Sequence, residues 1–457
     1  MSRIFLGLAL AGAMLASVPA AASGFDPNRT TCGYDDRKAV RFDVAAKWGN
    51  GRVTQAALAS GIAAANAFWA DPANADTNVV LDIAPGEWAI GGNGGPGIDL
   101  TGLNAARPNA RGWLVIAGKG MRETTLNFTD IRQRGFYGTR VNRLHVCNLH
   151  LTRPDQTVTQ GRVVGFLQGA QWSPGDPAGK VFGTETLAVP GTLDISGAQT
   201  RFLVLRIDPG FPGIDAIYNA HWGQGRFVRK YRYHDGKPEI VEADNLQSAW
   251  VQKAQLPNGD WVIGLKRNAA HYAVGDRLAV KSKNVADTAW FARGGHVTFE
   301  NIRVTRGSRM LFRRGLDHIR VSNMSIERVP LADGRIPFLS TAEGGPQLGQ
   351  PGDGPLHNVL VENFRAEGTG DDGIALFDVA GGTRALIENV EIADSFGRGI
   401  YVDRTTTNVC VRASRLDRNP LLLDNAEFRS ACPSQAVKGV TAANDRPRPA
   451  SGSRSAP

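Results

Sequence analysis

Short stretches of alternating apolar and polar residues recur along this chain: HVCNLHL, VTFENIRV, IRVSNMSI, VLVENFRA, ALIENVEI and VCVRASRL. Each has a period of two, which predicts a short strand, a turn and another short strand rather than a helix. Five of the six carry an asparagine at one place in the pattern (Asn148, Asn301, Asn323, Asn363 and Asn389), and Ala413 takes that place in the sixth. The interval is 22 residues from Asn301 to Asn323, 26 from Asn363 to Asn389 and 24 onward to Ala413. A unit of this length cannot bury an apolar face alone, but stacked units share a core and pair their backbones rung to rung. Asparagine suits a turn of left-handed backbone and can bond to its equivalent on the next rung. The pattern therefore predicts an all-β stack of parallel strands.

Ahead of the repeats, VTQAALASGIAAANAFWA has helical spacing, with Val53, Ala57, Ile62 and Phe68 on one face. It predicts a helix that caps the open end of the stack, where bare strand edges would invite aggregation. Two insertions break the repeat. The larger lies between VVGF, ending at Phe166, and the rung near His296. Its segments PGTLDI, FLVLRI, DWVIGL and YAVGDRLAVKS predict hairpin-linked strands of a small β-barrel or sandwich. It holds five of the nine tryptophans and four of the seven tyrosines; these serve as the core of such a unit or as sugar-stacking faces, the core being the plainer reading. The smaller insertion falls in the 40 residues between Asn323 and Asn363, where LSTAEGGPQLGQPGDG is glycine-rich and predicts a loop.

Arg3, the apolar run Ile4 to Val18 and the small residues Ala20 to Ser23 predict a secretory signal, hence a secreted or periplasmic protein with no membrane span. The expected division is a signal peptide at 1–23, a cap with the first rungs at 24–166, an inserted barrel-like unit at 167–293, the later rungs at 294–436 and a disordered tail at 437–457. The four cysteines, Cys32, Cys147, Cys410 and Cys432, allow three pairings. Cys410–Cys432 is the expected one, with Cys147 a small buried apolar residue in its strand. Neither the cysteines nor the eight histidines have metal-ligand spacing. The formal charge of +9 is dispersed except around Arg226, Arg229, Lys230 and Arg232. It reads as a solvated surface, with no nucleic-acid partner expected.

The chemistry sits in the turns that follow the asparagines, PLADGRIPF, TGDDGIALF and SFGRGIYV. Aligned on the glycine that opens the next strand, they place Asp333, Asp372 and Arg398 at one corner of successive rungs, ~4.8 Å apart. Asp371 adjoins Asp372, and the loop bearing Glu343 and Asp353 enters between rungs. Crowded carboxyls raise the pKa of at least one member, giving the protonated and ionised pair that glycosidic hydrolysis needs. A single Asp-Gly is ordinarily only a turn, whereas two adjacent acids at such a corner gain nothing structural over one.

GTGDDGIALF resembles the Asp-Asp turn of β-helix glycoside hydrolases with the pectin-lyase-like fold, among them polygalacturonases, dextranases, α-1,3-glucanases and α-1,3-galactosidases. The layout is most similar to the galactosidases, which also carry inserted β-barrel material before a Ser-Thr-x-x-Asp-like segment, matched here by Ser340-Thr341-Ala342-Glu343. The resemblance implies a right-handed parallel β-helix and an inverting hydrolase acting on a carbohydrate, without cofactor or metal. Asp371 would be the general acid and Asp372, with Glu343 or Asp353, the base; Arg398, Asp333 and Arg335 would bind substrate. Polygalacturonases have a His-Gly motif where this chain has Gly397-Arg398-Gly399, which argues against that activity. Two alternatives stay open on the same scaffold: a polysaccharide lyase or uronate epimerase, for which clustered acids would hold Ca²⁺, and a non-catalytic glycan-binding protein.

Overall fold

The computed structural model describes residues 24–91, 95–104, 111–167, 201–217, 227–241, 248–265, 271–281, 285–377, 379, 385–404, 406, 409–418, 421–423 and 441–442. The expected signal peptide lies outside them, and so does the expected disordered tail except Thr441–Ala442, which pair in parallel with Arg415 and Leu416 and are therefore ordered strand, not tail. Long strands Phe136–Thr152, Ala289–Val304, Asp317–Ile326, His357–Glu367 and Ala385–Ala393 pair in parallel, each with the next. Their inward columns, such as Leu144, Val297, Ile319, Val359 and Ala385, fill one apolar core. A second parallel column of short strands follows the turns: Met310–Arg313, Pro346–Leu348, Ile374–Leu376, Ile400–Val402 and Leu421–Leu423.

The recurring asparagines sit at φ between 49° and 58°, a conformation that Asn adopts more readily than other non-glycine residues. Asn301 donates to Asn148 at 2.8 Å, Asn323 to Asn301 at 2.9 Å and Asn389 to Asn363 at 3.3 Å, so the side chains form a ladder in two runs, with the Asn323 oxygen between them accepting from the Asp26 N–H. Ala413 holds the same left-handed geometry, at φ 47°, without an amide. Ala413→Asn is therefore expected to stabilise the fold by about 1 kcal/mol, read as a rise in the thermal or denaturant midpoint.

The N-terminal arm lies across this ladder. Asn301 donates to the Thr31 carbonyl at 2.9 Å and Asn323 to that of Asp26 at 2.8 Å, while Cys32 is disulfide-bonded to Cys147. Cys147 is thus buried as expected but is half of a bridge and not a free apolar thiol. Its partner lies 115 residues away, brought over by the arm, a contact that no local period encodes. Cys410 is also disulfide-bonded; Cys432, expected as its partner, lies outside the described residues.

The helix Gln55–Phe68, capped by the Thr54 side chain, buries Ala57, Leu58, Ile62 and Ala65 in the core beside the first rungs. Among the described residues no helix is long and apolar enough to cross a membrane. The insertion is antiparallel. Its pairings run from Phe227–His234 through Arg277–Lys281, Thr159–Leu167, Arg201–Ile207, Trp261–Leu265 and Ser248–Gln255 back to Phe227–His234. Trp250, Trp261, Tyr272 and Leu278 pack inside it. The change of sheet falls at Thr159 and after Lys281 rather than at 167 and 293. VVGF, four apolar or small residues that are all buried, suits either sheet, and its hairpin partners place it in the insertion.

One expectation is corrected outright. Pro346–Leu348, within the segment read as a loop, is a strand of the short column. Its register puts Gly345 opposite Gly373, so Gly344, and not Asp333, stands beside Asp372. Proline at the first residue of a strand is tolerated because little of the ladder depends on its missing N–H.

Candidate active site

The corner is built by the turns entering the short strands. A Cβ on Gly345 would lie 2.2 Å from the Gly373 carbonyl oxygen, and one on Gly373 2.7 Å from that of Gly399. Glycine is what lets the rungs close at this point. Just before it, two rungs share one design: Thr341 donates to the Glu343 carbonyl at 2.5 Å and Thr369 to the Asp371 carbonyl at 2.9 Å. The threonine hydroxyls thereby set the same turn twice, and Glu343 and Asp371 fall at equivalent places one rung apart. Asp372 and Arg398 follow one residue later on their own rungs.

Each acid meets a cation. Lys281 Nζ, from the insertion, lies 3.1 Å from Asp371 Oδ2, and Arg309 Nε lies 3.0 Å from Glu343 Oε2 and 2.8 Å from Asp287 Oδ1. Asp372 Oδ1 accepts from the Arg398 backbone N–H at 2.8 Å, with the guanidinium 3.4 Å from Oδ2. Side-chain exposure grades the acids: 35% for Asp371, 10% for Asp372 and 4% for Glu343. Burial, and after it the neighbouring Asp371 charge, pushes Asp372 up to about 6, against the pull of Arg398 and Lys281. Burial works against the charge on Arg309, but Glu343 and Asp287 outweigh it and hold its pKa above the usual value.

Glu343, Asp371, Asp372 and Arg398 are thus brought together, while the other three candidates are elsewhere. Asp353 forms a two-pronged ion pair with Arg313, at the far end of the strand that Arg309 precedes. Four residues of extended chain put it roughly 13 Å off. Asp333 lies on an exposed turn paired with Arg335 at 2.7 Å, and Arg335 donates to the Pro209 carbonyl of the insertion. Sequence reasoning missed Lys281, Arg309 and Asp287. The repeated Thr-x-Glu and Thr-x-Asp spacing at Thr341 and Thr369 was the signal that could have set the register.

The outward face of the column that the short strands extend carries Tyr137 and Trp290, stacked at 5.0 Å, then Leu311, Gln347, Ala375 and Tyr401. The Arg398 guanidinium lies 4.3 Å from the Tyr401 ring centre. A separate cleft of about 560 Å³, lined by Trp113, His145, His296 and His318, opens on the long-strand face and contains none of the carboxylates of the corner. Among the described residues no group of three or more His, Cys, Asp or Glu side chains is arranged to hold a metal ion.

No protein-family model and no curated relative matches the sequence. Among solved structures the chain is similar to the catalytic domain of a GH87 α-1,3-glucanase in complex with nigerose, with a TM-score of 0.39 and 12% identity over 86% of this chain and 41% of the other. It is also similar to the Agl-KA catalytic domain, with a TM-score of 0.35 and 13% identity over 80% of this chain and 47% of the other. The chain spans less than half the length of either.

Proposed function

We propose that this protein hydrolyses glycosidic bonds, with Asp372 as the general acid and Asp371, aided by Glu343, as the base that orients water. The observation that carries the reading is three carboxyls at one corner in unlike environments: one buried and pushed towards the neutral form, one paired with an ammonium, one paired with a guanidinium. Such a division supplies a proton for the leaving oxygen and a carboxylate for the attacking water in one place. It exchanges the roles expected from sequence, because Asp372 and not Asp371 is the more buried of the pair. The column Trp290, Leu311, Gln347, Ala375 and Tyr401 runs beside the corner at rung spacing; Trp290, Leu311 and Ala375 are buried, and the half-buried Tyr401 ring is the aromatic face it presents to a sugar.

The test is a panel of neutral and acidic polysaccharides, α-1,3-glucan included, assayed for new reducing ends and for ultraviolet absorbance together. Reducing ends without absorbance are expected. Absorbance rising in step with cleavage of a polyuronate marks a lyase, and tight binding with no cleavage marks a glycan-binding protein.

A further inference from the structure

We propose that the inserted antiparallel sheet is a working part of this site, and that Lys281 is its positioning residue, fixing the Asp371 carboxylate from behind. The inference rests on the acid–base reading above. Lys281 is at the end of Arg277–Lys281, and its side chain is 1% exposed. Its ammonium lies 3.1 Å from Asp371 Oδ2, with the Phe227 and Phe396 ring centres at 5.7 and 5.1 Å. A cation so enclosed cannot touch a polymer bound at the surface, so any effect on chemistry passes through Asp371.

The neighbouring strand grips the same place. Arg229, buried in Phe227–His234, donates to the carbonyls of Ser395 at 3.4 Å, of Phe396, and of Gly397 at 3.2 Å. These residues form the turn that delivers Arg398 to Asp372. Tyr231 donates to the Asp394 carbonyl at 3.2 Å, and Asp394 Oδ1 accepts from the Ile240 N–H at 3.3 Å. Docking alone does not call for two buried cations, since apolar side chains of similar volume join sheets without the desolvation cost. The charges are spent on the catalytic turn and its acid. Without the ammonium, Asp371 would lose the ion pair that approaches it from the insertion, and the proton on Asp372 would be held differently, because Lys281 is one of the groups that draw its pKa down.

The experiment uses the full chain and a substrate from the panel, with Lys281→Met, Lys281→Gln, Lys281→Arg, Asp371→Asn and the double variant Lys281→Met/Asp371→Asn. Lys281→Met is expected to lower kcat by about 10- to 100-fold with little change in KM. It is also expected to move the alkaline limb of the pH profile upward, with partial recovery in Lys281→Arg. In the Asp371→Asn background the same change should cost nothing further, as the two residues act as one unit. A folded Lys281→Met enzyme with wild-type kcat and pH profile overturns the inference and leaves the hydrolase reading standing, as do losses that multiply in the double variant. Loss of the melting transition in both neutral variants but not in Lys281→Arg also overturns it, marking Lys281 as structural. Absence of turnover in the unaltered protein removes the hydrolase reading, and this inference with it.

Discussion

Asp372→Asn and Asp371→Asn are each expected to reduce kcat by about 10³-fold or more while leaving the fold intact. Asparagine keeps the shape of either side chain and the acceptor for the Arg398 N–H, so what is removed is the proton or the charge. The two variants should differ in stability. Asp372 is pushed up to about 6 in the folded protein from its ordinary 3.8. The folded state therefore binds more protons than the unfolded chain between those values, and stability falls as pH rises through that window. The whole cost, up to about 3 kcal/mol at ~1.4 kcal/mol per unit, is present above pH ~6. Asp372→Asn lacks that dependence. Relative to the parent it should gain stability as the pH goes from about 4 to about 6, a trend that denaturant unfolding at several pH values would reveal. A variant that is inactive yet no less stable at neutral pH separates a chemical role from a structural one.

The second large effect belongs to the ladder. Asn301→Ala is expected to destabilise the protein by about 3–4 kcal/mol, from some three hydrogen bonds at ~1 kcal/mol each and ~1 kcal/mol of left-handed strain. Asn301 is buried, donates to Asn148 and to the Thr31 carbonyl, accepts from Asn323, and holds φ 54°. Asn301→Gly relieves the backbone strain but not the missing bonds, so it should recover only part of the loss. Equilibrium unfolding of both variants measures the two contributions. Equal losses in both would mean that backbone geometry contributes little and the amide network nearly all.

The repeat made the rungs legible because period-two alternation and a left-handed asparagine are local properties of the chain. The same regularity brought Glu343, Asp371, Asp372 and Arg398 to one corner, since residues at matching places on adjacent rungs must stack. The misplaced register of Asp333 arose because DGRIPF and GGPQL both look like a glycine opening a strand; only pairing to Met310–Arg313 and Ile374–Leu376 selects the second. Asp353 gave no sign of its guanidinium partner, which is 40 residues distant. Lys281 and Arg309 were hidden for a related reason. Each sits in a segment whose own pattern is that of an ordinary strand edge, and each acquires meaning only from the acid that the fold sets against it.

The most direct test of a corner that divides acid from base is the pH dependence of kcat/KM on a glycan that the protein cleaves. On the proposed reading Asp372 acts in its protonated form, so hydrolysis should fall roughly tenfold per pH unit above about 6, and the residual turnover of Asp372→Asn should show no such limb. Cleavage that continues undiminished well above neutrality, or that runs at close to the parent rate in Asp372→Asn, would contradict the account.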